Sequence, residues 1–281
     1  MTLTVFCAVI AAALLHAVWN AMVKGGRDKQ LNMAGVIVGH LPLATLAILF
    51  SPLPTAASLP YLAAGTLLHF GYQLFLLRSY HAGDLSQVYP IARGSAPMIV
   101  AAVSVLFLDT HLEPIEIAAV ATIGIGILSI ALTHKSAGRL NVTGTKLALI
   151  TGCFIASYSL VDGIGARHAG TALGFYGWLG SLNAVIMLAY LKRTAPHQIP
   201  ALWTHGKRAF LFGGAASFTA YALVIWSFTQ APIALVTALR ETSIIFALLI
   251  GMIFLREKLN LAKVTSTAIT LFGVALLRLA K

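Results

Sequence analysis

Apolar runs of close to 20 residues follow one another along the whole chain, each closed by Gly, Pro or a charged residue. A helix needs roughly 20 residues to cross about 30 Å of hydrocarbon, and the backbone of such a helix satisfies its own polar groups there. The breaks predict ten spanning helices, at about 3–23, 31–51, 58–79, 84–108, 113–133, 145–166, 170–191, 208–228, 231–255 and 260–279. The longest connection, KRTAPHQIPALWTHGKR between the seventh and eighth spans, holds two prolines and reads as a loop. The expected fold class is an all-α integral membrane protein.

The pattern also repeats. A shift of 147 residues places Arg93 on Arg240, Phe107-Leu108 on Phe254-Leu255, Leu112 on Leu259 and Gly126 on Gly273. A shift of 142 residues places His16 on Tyr158 and Asn20 on Asp162. Residues 1–133 and 145–281 are the expected five-helix halves, joined by a polar loop at 134–144. Five is odd, so the second half enters the bilayer inverted relative to the first. Inverted-topology repeats mark many secondary transporters.

Charge agrees with the inversion. Connections after the odd-numbered helices hold fourteen Lys or Arg, whereas the opposite side holds three, Arg167, Arg278 and Lys281. The turn FLDTHL carries no basic residue and its twin FLREKL carries two. The positive-inside rule then places the crowded side in the cytoplasm and both termini outside. The expected location is the plasma (inner) membrane of a bacterium, as a multi-pass protein. MTLTVFCAVIAAALL imitates the apolar part of a signal peptide but has no basic residue ahead of it, and reads as a retained first helix.

Composition narrows the class. Of 281 residues 59% are hydrophobic and 10% charged, which excludes a water-soluble domain. The net charge of +11 does not imply a nucleic-acid partner, because the basic residues sit singly in short loops. Cys7 and Cys153 read as small buried hydrophobes. Gly124 and Gly126 permit close helix approach, compatible with a homodimer. No phosphate-cradling loop, metal-ligand spacing or Ser–His–acid set is visible, so neither a cofactor nor a metal is expected.

The candidate chemistry lies inside the apolar runs. Arg93, Arg240, Glu241 and Asp162 sum to zero formal charge, and ionisable groups at bilayer depth are expensive enough to need pairing or water. Depth along the helices predicts an Asp162–Arg240 pair. Arg93 is then left for an anionic substrate group, since its planar fork suits carboxylate or phosphonate oxygens. The bland alternative is that both arginines merely tie helices together. Glu241 sits about 100° around the helix from Arg240. It reads as a proton carrier, a contact for an amine, or a cap on the charge network. His16, Trp19, Asn20, Tyr89 and Tyr158 complete the candidate substrate-binding set, while His40 and His69 read as helix–helix hydrogen bonders. Pro90 and Pro97 bracket Arg93, and Thr237 and Ile244 stand at the matching places, so the first-half helix is expected to be the more bent.

The passages FLDTHLEPIEIAAVATIGIGIL and FLREKLNLAKVTSTAITLFGVAL resemble the EamA-type members of the drug/metabolite transporter superfamily. The resemblance implies two five-helix halves that move small organic solutes without a bound cofactor. The uncharged connection SPLPTAASLP departs from typical relatives, whose basic residues there imply termini inside. His16-Ala17-Val18-Trp19-Asn20, followed by Lys24, resembles the first helix of a branch associated with phosphonate utilisation. The expected function is a secondary transporter, not an enzyme, acting on a small polar solute such as an amino acid, amine or aminophosphonate. Protons are the candidate coupling ion. A membrane enzyme, a lipid-processing protein and a non-transporting sensor or partner subunit are the competing classes.

Overall fold

The structure, a computed structural model, describes residues 1–25, 28–82, 85–133, 141–255 and 261–280. Most of the expected connecting loop and the charged part of the FLREKL turn lie outside the described residues. Among the described residues there are helices and no strands. They run α1 (Leu3–Gly25), α2 (Lys29–Val38), α3 (Leu41–Leu49), α4 (Leu59–Ala82), α5 (Leu85–Phe107), α6 (Pro114–Thr133) and α7 (Val142–His168). There follow α8 (Ala172–Thr194), α9 (Gln198–Thr204), α10 (Gly214–Gln230), α11 (Ile233–Arg240), α12 (Ser243–Leu255) and α13 (Leu261–Leu279).

Every expected span has a helical counterpart, with three differences. The seventh-to-eighth connection contains the short helix α9, seated by Leu202, which is buried. The second and ninth spans are each broken in the middle, at Gly39–His40 and at Glu241–Thr242. Among the described residues seven segments are long and apolar enough to cross a membrane, including the broken spans Lys29–Leu49 and Ile233–Ile250. Two shorter apolar helices, Pro114–Ile130 and Val264–Leu279, lie beside them.

Local sequence explains several of the ends. Asp28, Asn141 and Thr171 cap α2, α7 and α8 by accepting the backbone N–H of Leu31, Gly144 and Gly174 at 2.9, 2.9 and 3.2 Å. Pro114 opens α6, where a missing N–H costs nothing. Outward-facing side chains such as Leu49, Phe50, Phe107 and Phe212 are exposed, as lipid-facing positions require. Cys7 and Cys153 belong to that outer surface and not to the core, contrary to expectation. Both lie on helix faces turned away from neighbouring helices, which the apolar character of their flanks could not reveal.

Helix α13 packs on α6, α4 and α5 pack on α7, and α1 packs on α10 and α12. The α6–α13 contact depends on glycine. A Cβ at Gly126 would stand 2.8 Å from Thr270 Oγ1, and one at Gly273 would stand 2.7 Å from Ile123 Cγ1. Ser266 Oγ also donates to the carbonyl of Gly126. Gly126 meets Thr270 while Gly273 meets Ile123, so the pairings exchange under the 147-residue shift, and rising numbers on one helix meet falling numbers on the other. The two helices therefore run antiparallel. The close approach that Gly124 and Gly126 permit is made within the chain, by Gly126 to α13 and by Gly124 to Met98 and Gly94 of α5.

Candidate functional site: a buried charge centre at a helix break

The second-half counterpart of Arg93 ends a helix. Helix α11 stops at Arg240, and Glu241 and Thr242 form a turn before α12 begins. The backbone N–H groups of Glu241, Thr242, Ile244 and Ile245 all reach back three residues, at 3.1, 3.1, 3.0 and 2.9 Å. The chain is locally tightened there, and the side chains of Arg240 and Glu241 are freed from regular helical spacing. Helix α5, in contrast, runs unbroken from Leu85 to Phe107 through Pro90 and Pro97. The break thus falls in the segment with no internal proline, where Thr237 and Ile244 stand at the places of Pro90 and Pro97. Its cause is the run Arg240-Glu241-Thr242-Ser243, four polar residues together in an apolar segment.

That break lets Glu241 turn towards α5. Arg93 Nε stands 2.8 Å from Glu241 Oε2, and Arg93 Nη2 donates to Ser243 Oγ at 3.0 Å. Arg240 Nε stands 3.9 Å from Glu241 Oε1. All three charged side chains are buried, Arg93 and Arg240 at 2% exposure and Glu241 at 0%. The Arg93–Glu241 contact is close, yet the Nε–H is not aimed at the carboxylate, and both Glu241 oxygens lack a hydrogen-bond donor. Arg240 Nε and Nη2, Thr237 Oγ1 and His16 Nε2 also lack hydrogen-bond partners among the described residues. Buried polar atoms are rarely left so, and here they collect in one place.

Aromatic rings surround the centre. The Arg93 guanidinium lies 5.9 Å from the Tyr89 ring and that of Arg240 lies 5.9 Å from the Tyr221 ring, within reach of the ring quadrupole. Asn20 Nδ2 donates to Tyr89 Oη at 3.5 Å, and Trp19 packs edge-on to His16 at 4.9 Å. His16, Tyr72, Tyr89 and Tyr158 each lie within electrostatic reach of both arginines. The seven residues expected to bind substrate are therefore brought around one region, together with Glu241.

Asp162 does not pair with Arg240 as expected. Its Oδ2 accepts from His69 Nε2 at 2.7 Å and from the Tyr221 hydroxyl at 2.8 Å. Its Oδ1 has no donor among the described residues and faces Gly65, where any side chain would collide with it. The roles of the arginines are thereby exchanged relative to the expectation. Arg93 is the one tied to an acid and a hydroxyl, and Arg240 is the one with unclaimed N–H groups.

His69, expected as a helix–helix hydrogen bonder, does join α4 to α7 through Asp162, which also brings it to the edge of the charge centre. It stacks on Tyr158 with ring centroids 4.1 Å apart and meets Tyr221 edge-on at 5.3 Å. A signal was present: His69, Tyr72 and Gln73 follow at helical spacing and put polar groups on one side of α4. Gln73 Nε2 donates to Asn183 Oδ1 at 2.8 Å, so that stripe also ties α4 to α8. Arg167 is structural. Its guanidinium donates to the carbonyls of Phe228 and Ala231 at 2.9 and 3.0 Å, fixing the end of α7 to the α10–α11 link.

Three comparisons bear on the chain. Residues 142–279 match the EamA-like transporter family. A "Probable magnesium transporter NIPA4" of Arabidopsis thaliana is 31% identical over 144 residues, which is 50% of this chain and 35% of the plant protein. The matched part thus spans about a third of that relative's length. A solved crystal structure of a protein 16% identical superposes with a TM-score of 0.77, covering 100% of this chain and 98% of the other, and shows the fold alone. With the apolar spans, these similarities make the chain a multi-pass membrane protein whose second half carries an EamA-like transporter sequence.

Proposed function

We propose that the chain is a secondary transporter of a small polar organic solute bearing an anionic group, and that Arg240 is the anion contact. The observation that carries this reading is the guanidinium of Arg240: buried, held 3.9 Å from its nearest acid, with Nε and Nη2 unclaimed, at a broken helix. Broken helices are where membrane transporters of this general plan place substrate. The fork of N–H groups matches carboxylate or phosphonate oxygens. Glu241 Oε1, 3.9 Å from Arg240 and without a hydrogen-bond donor among the described residues, offers an acceptor to an ammonium group, and Tyr89, Tyr158, Trp19, His16 and Asn20 form walls and polar contacts around it. Amino acids and aminophosphonates fit this combination, and the HA-x-WN resemblance points in the same direction.

The ten spans, in this reading, are two five-helix halves of opposite topology that rock about the charge centre. The antiparallel α6–α13 contact, with its exchanging partners, supports that arrangement. So does the bias of fourteen basic residues against three, which favours termini outside the plasma membrane. Magnesium, named for the plant relative, is the second reading. Two buried arginines beside a single glutamate repel a dication, and among the described residues no three His, Cys, Asp or Glu side chains cluster to hold one.

Counterflow in proteoliposomes tests the proposal. Vesicles loaded with unlabelled alanine, 2-aminoethylphosphonate, ethanolamine or magnesium are offered the labelled compound outside. Exchange of an anion-bearing probe is expected. Exchange of magnesium alone, or of no probe, overturns the reading.

A further inference from the structure

We infer that His69 and Asp162 form a proton-binding site tied to anion binding at Arg240, so that the protein carries a proton with each net negative charge. The inference rests on the transporter reading above. Asp162 is wholly buried, and among the described residues its ion-pairing partner is His69. One carboxylate oxygen, Oδ2, takes both His69 Nε2 and the Tyr221 hydroxyl, while Oδ1 has no donor among the described residues.

Tyr221 joins this site to the anion site. Its hydroxyl is on Asp162 and its ring lies 5.9 Å from the Arg240 guanidinium. Tyr158 is a second link, stacked on His69 and within electrostatic reach of Asp162, Arg93, Arg240 and Glu241. The other titratable groups about the pair are Tyr176 of α8, within electrostatic reach of Asp162, and His40, within reach of His69; Tyr72 of α4, Arg93 and Tyr89 of α5, Arg240 of α11, Glu241 and His16 of α1 gather around the neighbouring arginine centre. None of these makes an ion pair with Asp162.

Charge balance sets the direction of coupling. With His69 neutral, Arg93, Arg240, Glu241 and Asp162 sum to zero. An anion on Arg240 leaves the buried centre one charge negative, which a low-dielectric interior opposes. One proton taken from water by the His69–Asp162 pair leaves an imidazolium beside a carboxylate and restores zero. When the anion departs on the far side, the proton returns to water there. A zwitterion adds no net charge and recruits no proton.

The test uses the full-length protein in proteoliposomes, with protein-free vesicles as the blank and two labelled probes, 2-aminoethylphosphonate and alanine. A gradient of one pH unit, acid outside, is expected to accumulate the aminophosphonate towards about tenfold per proton carried. A potassium-diffusion potential should leave that accumulation unchanged. Alanine should equilibrate without accumulating. Asp162→Asn and, as a milder variant, His69→Gln should abolish gradient-driven accumulation while slowing aminophosphonate counterflow severalfold at most. Accumulation by either variant at the wild-type level overturns the inference. Counterflow confined to alanine, or wild-type aminophosphonate counterflow that ignores the pH gradient, overturns it alone. Absence of counterflow for both probes overturns the transporter reading and this inference with it.

Discussion

Replacing Arg93 by methionine should damage the fold, whereas the same replacement at Arg240 should not. Arg93 Nε and Arg240 Nε stand 2.8 and 3.9 Å from the Glu241 carboxylate. At an effective dielectric near 20, those separations correspond to attractions of about 6 and about 4 kcal/mol before desolvation. Arg93→Met removes the closer cation, takes the donor from Ser243, and leaves a wholly buried carboxylate with one longer contact. Breaking a buried pair in this way costs about 3–5 kcal/mol. Arg240→Met leaves the Arg93–Glu241 pair intact and deletes the more distant cation, whose own desolvation offsets most of the attraction lost, so the cost should stay below about 1 kcal/mol. Thermal unfolding in detergent, followed by tryptophan fluorescence, should show a midpoint lower by roughly 6 °C or more for Arg93→Met. Arg240→Met should stay within about 3 °C of the parent. Adding Glu241→Gln to Arg93→Met should recover part of the loss, because the orphaned charge goes with it. Equal losses at the two arginines would refute the assignment of Glu241 to Arg93.

Other outcomes follow from the packing. Gly273→Leu forces a side chain into Ile123 and should cost about 1–3 kcal/mol in the same melt, with Gly126→Leu costing a similar amount against Thr270. Parent-like melting of both would show that α6 and α13 do not pack as described. Cys7→Ala and Cys153→Ala, on the outer surface, should each change stability by less than about 0.5 kcal/mol, whereas a core position would lose more. Arg167→Gln gives up two bonds to backbone carbonyls and should cost about 1.5–3 kcal/mol per charged hydrogen bond lost. Its probe affinity in counterflow should hold, and a fall would place Arg167 in the substrate path.

Much of the architecture was legible because the bilayer enforces it. Apolar runs of spanning length must be helices, and polar residues inside them must gather, so the region around Arg93 and Arg240 could be foreseen from the repeat. The pairing within that region could not. Asp162 and Arg240 share a depth, but side-chain direction depends on helix rotation, and Tyr221 and His69 reach the carboxylate instead. The prolines of α5 drew attention as sites of bending, yet that helix stays continuous. The break fell where Arg240, Glu241, Thr242 and Ser243 stand together, and with it Glu241 left the face that an ideal helix assigns to it. Local chemistry of a whole segment, more than the single strongest helix-breaking residue, decided the geometry of the site.

The claim at the centre of the account is that Arg240 holds the anionic group of the solute. Counterflow of labelled 2-aminoethylphosphonate by Arg240→Gln, in vesicles carrying protein of confirmed parent-like thermal stability, tests it most directly. Half-saturation should rise by at least about tenfold, the loss expected for a charge-assisted hydrogen bond worth about 1.5–3 kcal/mol, and Arg240→Lys should recover only part of it. Half-saturation equal to that of the parent protein would contradict the claim.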